Sequence, residues 1–483
     1  MNAHSRRLAA AAVLAAGLLL FHFGSAVAHG VLRSSNPASG AHLRAAPTEL
    51  RLTFSEAPEM GMARIGLTGP DGRGIALGAL SIAGDPRMTL VAPIAGRLVE
   101  GPYTVTWQVA GADGHPVRGD FRFVIAPGAA GLADAVQPQA GGGPLAPAPR
   151  DSTAAHHNPV SMPTSATAFD SGSAGYVAVR WLLYSGLLAL IGAVAFRTVV
   201  LALLRRRPGV GIEQIAQSTS RAARIGALAA WVLVVAVIGR LFAQSIALHG
   251  SRGATDLALV RSMLASTSWG RGWIVQAATV MVALVGFHLA RQAGSRSRSR
   301  MGWTIATVAA LVLAFTPGLA SHAAASPRLR GLAMVIDGLH VLGAAGWLGS
   351  LMVVVFAGIP AALSLTSERR GPAVADLINA FSPTALFFAG LVAVSGVFAA
   401  WLHVGSISGL WQSTYGQLVL LKVGILSIVA LTGAYNWLRV RPALGDIEGA
   451  TRITRSATVE VAVAVVVLIV TAVLVATPTP MDM

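Results

Sequence analysis

Residues 101–125 read GPYTVTWQVAGADGHPVRGDFRFVI, and two alternating runs stand out. Tyr103, Val105, Trp107 and Val109 recur at every second position, as do Phe121, Phe123 and Ile125. Period-two alternation describes a strand with one face buried and one wet. Gly111-Ala112-Asp113-Gly114 between the runs is a turn sequence. Moving outward, Leu50, Leu52 and Phe54 repeat the alternation, then Ile65 and Leu67, and Gly69-Pro70-Asp71-Gly72 supplies a further turn. The span 29–126 has roughly the ~100 residues of a β-sandwich. We expect an all-β sandwich there, Ig-like or cupredoxin-like.

Upstream, Arg6 and Arg7 precede an apolar stretch from Leu8 to Phe23, and Ala26-Val27-Ala28 fits a small-x-small cleavage site. Residues 1–28 are therefore expected to be a secretory signal, shorter in its apolar part than the ~20 residues of a membrane span. Its removal exports the sandwich and makes His29 the new N-terminal residue. Downstream, residues 127–172 are rich in Ala, Gly, Pro, Ser and Thr without periodicity, the composition of a flexible tether. His156-His157 within it reads as incidental.

From Tyr176 onward the chain changes class. Of the 483 residues, 54% are hydrophobic and only 12% charged, with mean hydropathy +0.65, whereas soluble chains run nearer ~45–50% apolar and ~25% charged. Long apolar runs lie near 176–203, 223–248, 271–291, 302–320, 331–361, 376–403, 416–440 and 457–477, each near or above the ~20 residues needed to cross a bilayer. Residues 173–477 are thus expected to form an all-α polytopic membrane bundle of eight helices. No cysteine is present, which excludes disulfides, thiolate metal sites and a cysteine nucleophile.

The net charge of +16 would suit nucleic acid, but the arginines sit in short loops between apolar runs, the pattern that orients a membrane protein. Arg205-Arg206-Arg207 follow the first span, Arg296, Arg298 and Arg300 the third, Arg369-Arg370 the fifth, and Arg439, Arg441, Arg452 and Arg455 the seventh. These four loops are expected to be cytoplasmic, which puts both termini outside, as the signal segment independently requires. The expected setting is a bacterial inner membrane, with the lipid bilayer and not nucleic acid as the partner.

On that topology His249, His322 and His403 fall at the exterior ends of spans, where a histidine can also sit in the headgroup region. His340 lies about ten residues inside the fifth span, roughly ~15 Å deep, with Asp337 three residues earlier on the same helical face. Ionisable groups inside a span are costly and line interiors or pathways. These five residues are the candidate membrane path for a metal or a proton, the alternative for Asp337 and His340 being a structural pair. Arg240, Lys422 and Glu460 also lie within spans, where packing explains them as well as function does. Met334 and Met352 are soft donors at positions where methionine more often simply packs.

In the exported part, Asp113-Gly114-His115 could direct an oxygen and a nitrogen to one centre, although Asp-Gly is also an ordinary turn. A free His29 would add its amine and its imidazole. That compact N/O set suits tetragonal Cu(II). His29-Gly30, Ser35-Asn36-Pro37-Ala38-Ser39-Gly40, Leu52-Thr53-Phe54-Ser55-Glu56, Tyr103-Thr104-Val105-Thr106-Trp107 and Asp113-Gly114-His115-Pro116-Val117 with Gly119 and Phe121 together resemble the CopC copper-binding family. The resemblance covers nearly all of 29–126. It implies a Cu(II) site of His29, Asp113 and His115, with Glu56 as a secondary carboxylate. The methionine-rich Cu(I) segment of some members is not evident, since Met60, Met62 and Met88 are sparse.

The membrane part resembles the CopD family through Ser321-His322-Ala323, Asp337-Gly338-Leu339-His340, Trp347-Leu348-Gly349, Phe381-Ser382, Tyr415-Gly416 and Leu420-Leu421-Lys422. The two resemblances imply a fused copper transporter and not an enzyme. It would capture Cu(II) in the periplasm and import copper, in an oxidation state left open, through the bundle. Copper ions and periplasmic copper donors are then its expected partners. The rival readings are a membrane haem- or copper-dependent oxidoreductase, since membrane histidines also ligate haem, and a copper buffer or sensor without transport.

Overall fold

The computed structural model describes residues 32–84, 88–111, 114, 116–128, 173–292, 294–320, 330–435 and 447–477. The expected signal segment, His29, Asp113, His115, residues 129–172 of the expected tether and His322 lie outside the described residues.

The alternating runs become the strands of a two-sheet sandwich. In chain order the strands are β1 (Leu32–Asn36), β2 (His42–Leu43), β3 (Glu49–Phe54), β4 (Arg64–Thr68), β5 (Gly74–Ile75), β6 (Ser81–Ala83), β7 (Thr89–Pro93), β8 (Gly101–Ala110) and β9 (Pro116–Ile125). One sheet has the order β1-β3-β7-β6 and the other β2-β9-β8-β4-β5. The long antiparallel pair β8–β9 sets Tyr103 opposite Phe123, Val105 opposite Phe121 and Trp107 opposite Gly119. A side chain on Gly119 would meet the Trp107 ring, with Cβ only 2.5 Å from Cζ2, so the glycine leaves room for the indole.

The positions that alternate in sequence point inward. Leu50, Leu52, Phe54, Tyr103, Val105, Phe123 and Ile125 are all fully buried, and Ile65 is partly so. Phe54 meets Trp107 edge-on with centroids 5.2 Å apart, and Tyr103 stacks on Phe123 at 5.3 Å. Each such side chain contributes about 1.5–3 kcal/mol by leaving water.

Among the described residues, eight helices are long and apolar enough to cross a membrane. With one short helix between the second and third, they are α1 (Ala174–Leu204), α2 (Ile212–Gly253), α3 (Leu257–Ser266), α4 (Ser268–Ala290), α5 (Arg296–Leu319), α6 (Gly331–Leu363), α7 (Ser367–Val404), α8 (Thr414–Ala434) and α9 (Arg455–Leu474). Several run past the apolar stretches expected of them. α2 begins at Ile212 because Glu213, Gln214 and Gln217 continue the helix before its apolar part. The short α3 was not expected; Asp256 starts it by accepting hydrogen bonds from the backbone N–H groups of Ala258 and Leu259.

α1 packs against α2, α5, α6 and α9. Where it crosses α6, a Cβ on Gly192 would overlap the Gly349 carbonyl carbon, and one on Gly349 would overlap the Leu188 carbonyl oxygen. Gly349 lies in one of two π-helical turns of α6, Ala345–Gly349 and Val354–Gly358. On α4 and α5, Gly286 faces Ala306 and Gly302 faces Ala290 in the same way. Small residues allow helices in lipid to come close enough for dense packing.

The sandwich rests on one end of this bundle. Met62 and Ala110 of the sandwich form a buried apolar cluster with Leu248 of α2, Met263 of α3 and Trp269 of α4.

Candidate metal centre

The turn joining β8 to β9 is closed by the Gly114 N–H donating to the Gly111 carbonyl at 2.9 Å. Gly114 has φ +79°, a conformation that favours glycine. Its sequence neighbours Asp113 and His115 are the proposed ligands. A Cβ on Gly111 would stand 2.6 Å from the carboxylate oxygens of half-buried Glu56, so the fold brings that carboxylate over the start of the turn. Met62, which sparse spacing had set aside as a Cu(I) donor, packs in the apolar cluster with Trp269.

The same turn faces the bundle. The Gln244 side chain donates from Nε2 to the Gly114 carbonyl at 2.5 Å, and a Cβ on Gly114 would lie 2.6 Å from Cδ1 of Trp269. Around it, Arg118 Nη2 donates to the Ala247 carbonyl at 2.5 Å and Gln108 Nε2 to the Leu248 carbonyl at 3.1 Å. Glu59 accepts from the hydroxyl of Ser268 and, at 3.3 Å, from its backbone N–H at the start of α4.

Inside the bundle, α6 carries Asp337 and His340 on one face, and α8 brings Lys422 into their electrostatic reach. His340 Nδ1 lies 3.0 Å from Ser395 Oγ on α7. The Ser395 hydroxyl donates its one proton to the Leu391 carbonyl at 2.6 Å. Ser395 Oγ also lies 3.2 Å from the Val392 carbonyl, and the His340 ring hydrogen-bonds the Val392 backbone. Metal-binding histidines are commonly oriented this way by a bond at the second ring nitrogen. His249 repeats the device at the end of α2. Its Nδ1 is 3.2 Å from Ser245 Oγ, whose proton goes to the Ala254 carbonyl at 2.8 Å, and the helix breaks at the next residue, Gly250.

Asp337 abuts the end of α5: a Cβ on Gly318 would sit 3.6 Å from its Cβ. His403 ends α7 edge-on to Tyr415 of α8, with centroids 6.3 Å apart. The structure thus gathers Asp337, His340 and Lys422 but leaves His249 and His403 at separate helix ends. Among the described residues no three His, Asp or Glu side chains form a group able to hold a metal. Hydropathy and arginine placement fix the depth of these residues and not the direction in which a helix turns each of them.

Residue-level reading missed Gln244, Trp269, Ser245 and Ser395. All four are buried, and the two serines and the glutamine are uncharged polar residues inside apolar helices, the one sequence signal that could have singled them out.

Three segments match known family models: "CopC domain" over residues 32–126, "Copper resistance protein D-like, N-terminal domain" over 169–332, and "Copper resistance protein D" over 375–474. The chain is 27% identical over 427 residues to Copper transport protein CutJ of Bacillus subtilis, covering 88% of this chain and 70% of that one. It is 30% identical over 121 residues to Copper resistance protein C of Escherichia coli, covering 24% of this chain and 94% of that one. The crystal structure of CopC from Methylosinus trichosporium OB3b aligns with 21% of this chain and 96% of its own, at 25% identity and TM-score 0.20. With both parts matched in order along one multi-pass membrane chain, the protein belongs to the CopC–CopD fusions of the copper resistance family.

Proposed function

We propose that this protein captures Cu(II) on the exterior side of the inner membrane and imports copper through its helical bundle. In this reading residues 1–28 are removed as a signal, 29–126 form the capture domain, 127–172 the tether and 173–477 the conducting bundle. The amine and imidazole of His29 bind Cu(II) with Asp113 and His115, and Glu56 stands by as an additional carboxylate. His340 receives copper inside the bundle beside Asp337, and His322, His403 and His249 offer further donors along the way. Periplasmic donors load the capture site.

One observation carries the reading. The turn that separates Asp113 from His115 is seated on the bundle through the Gly114 carbonyl and Gln244, so capture site and membrane entrance share a surface. Orientation supports it: α2 starts just after Arg205-Arg206-Arg207 and ends against the sandwich, so the basic loop and the sandwich lie at opposite ends of that helix. A basic loop on the cytoplasmic side and an exported sandwich require that arrangement. A tether of this kind also keeps the two parts at about millimolar effective concentration.

Cu(II) binding to the full chain beginning at His29, compared with a chain bearing one extra residue before it, tests the capture step. The extension should weaken binding by more than the ~10–100-fold typical of outer-shell changes. Equal affinity would remove His29 from the site.

A further inference from the structure

Beneath the seated turn lies a set of buried polar side chains of which the copper reading uses only Gln244. Arg240 of α2, 9% exposed, donates from Nη1 to Gln276 Oε1 at 2.9 Å and also hydrogen-bonds Tyr176 of α1. The Tyr176 hydroxyl donates to Gln244 Oε1 at 2.7 Å, and Gln244 Nε2 donates to the Gly114 carbonyl. Every bond from the guanidinium to Gly114 therefore points the same way, and donors aligned behind a cation polarise one another toward the final acceptor. A second route runs in parallel: the Arg240 guanidinium lies 5.2 Å from the centroid of the Trp269 ring, and Trp269 is the residue against which Gly114 packs. On the far side, Gln276 Nε2 donates to Thr316 Oγ1 at 3.0 Å, two residues before the Gly318 that abuts Asp337.

A buried arginine in a membrane helix is costly and needs partners. Here those partners lead to a backbone carbonyl of another part of the chain. We propose that Arg240, Tyr176 and Gln244 form a latch that seats the metal turn of the sandwich on the bundle, and that this seated arrangement is the one from which copper passes inward. The three are positioning residues. They act through the Gly114 carbonyl, and they deepen the import reading above by specifying how the capture domain is held over the bundle.

The absence of native cysteine allows a clean test in the full chain. A Cβ on Gly61 of the sandwich would lie 3.2 Å from Cβ of Ser266 in α3, close to the ~3.5–4.5 Å of disulfide-bonded pairs. The double variant Gly61→Cys and Ser266→Cys should crosslink within one chain on mild oxidation in membranes. Adding Gln244→Glu keeps the size of the side chain and the acceptor for Tyr176 but turns an oxygen toward the Gly114 carbonyl. Adding Tyr176→Phe keeps the ring under Arg180 and removes only the hydroxyl. Each should slow crosslinking about tenfold, the scale of leaving a buried hydrogen-bonding group unpaired, while the helical circular-dichroism signal stays unchanged. Copper uptake of the same two variants without the cysteines should fall in parallel.

Crosslinking at the parental rate in both variants would overturn the latch, as would full copper uptake in variants that crosslink slowly. The crosslink needs no copper, so the two readings fail separately. A chain that crosslinks as stated but moves no copper overturns import and the transfer role of the seat, whereas one that imports copper without crosslinking overturns the latch alone.

Discussion

The two cores of this molecule differ in what sits where their elements come closest. The sandwich is filled by large side chains, with Phe54, Tyr103 and Phe123 fully buried between its sheets. The bundle is closest where side chains vanish, at Gly192 against Gly349 and at Gly286 against Ala306. The difference follows from solvent. In water, burial of apolar area drives association. In lipid an apolar side chain gains little by exchanging a lipid neighbour for a helix, so dense backbone approach and polar contacts hold the helices together. Bulk therefore fills the sandwich throughout, whereas in the bundle it is confined to sites such as Phe196 and Phe287 and would break these glycine crossings.

The sharpest way to break this contrast is to add bulk at the tightest helix crossing. Gly192→Leu puts a branched side chain into the Gly349 backbone and should abolish recovery of monodisperse protein from detergent extracts. Recovery at the parental level would show that the α1–α6 crossing is looser than described. Removing bulk from the sandwich comes next: Phe123→Ala should cost about 3–5 kcal/mol, lowering the thermal transition of the near-ultraviolet aromatic signal while the helical signal stays in place. A joint loss of both signals would mean that the two cores unfold as one.

A smaller effect is expected where a polar contact alone is removed. Ser395→Ala removes the side-chain partner of the His340 ring and should reduce copper uptake about tenfold with no change in assembly, as loss of an orienting partner does at metal sites. Unchanged uptake would leave Ser395 a mere helix-internal hydrogen bond. Smallest of all, Gly390→Ala adds a methyl where nothing lies within 4 Å. It should shift stability by no more than about 1 kcal/mol, in the stabilising direction set by helix propensity. A large loss there would reveal a packing partner at a position that is open in the monomer.

The same contrast explains what the sequence discloses. In the sandwich, alternation specifies which side of a strand is buried, and Leu50, Leu52, Phe54, Tyr103, Val105, Trp107, Val109, Phe121, Phe123 and Ile125 all face inward as their spacing requires. In the bundle, hydropathy locates eight spans, and the three-residue spacing of Asp337 and His340 puts them on one face. Hydropathy has no equivalent of alternation to say which helix that face meets, so Ser395 opposite His340 and Lys422 beside Asp337 emerge only from the packing. The seat of the sandwich was less legible still. It depends on Gly114, Gln244 and Trp269, which stand far apart in sequence and carry no charge. The Glu56 carboxylate was placed by resemblance, and the turn geometry brings it to Gly111.

The most direct measurement is copper accumulation by proteoliposomes containing the full chain, compared with the same chain carrying His340→Ala. The account predicts time-dependent uptake by the first and near-background uptake by the second, with Cu(II) binding at the exterior site unchanged. Equal uptake by both would contradict a copper path through the α6–α7–α8 interior.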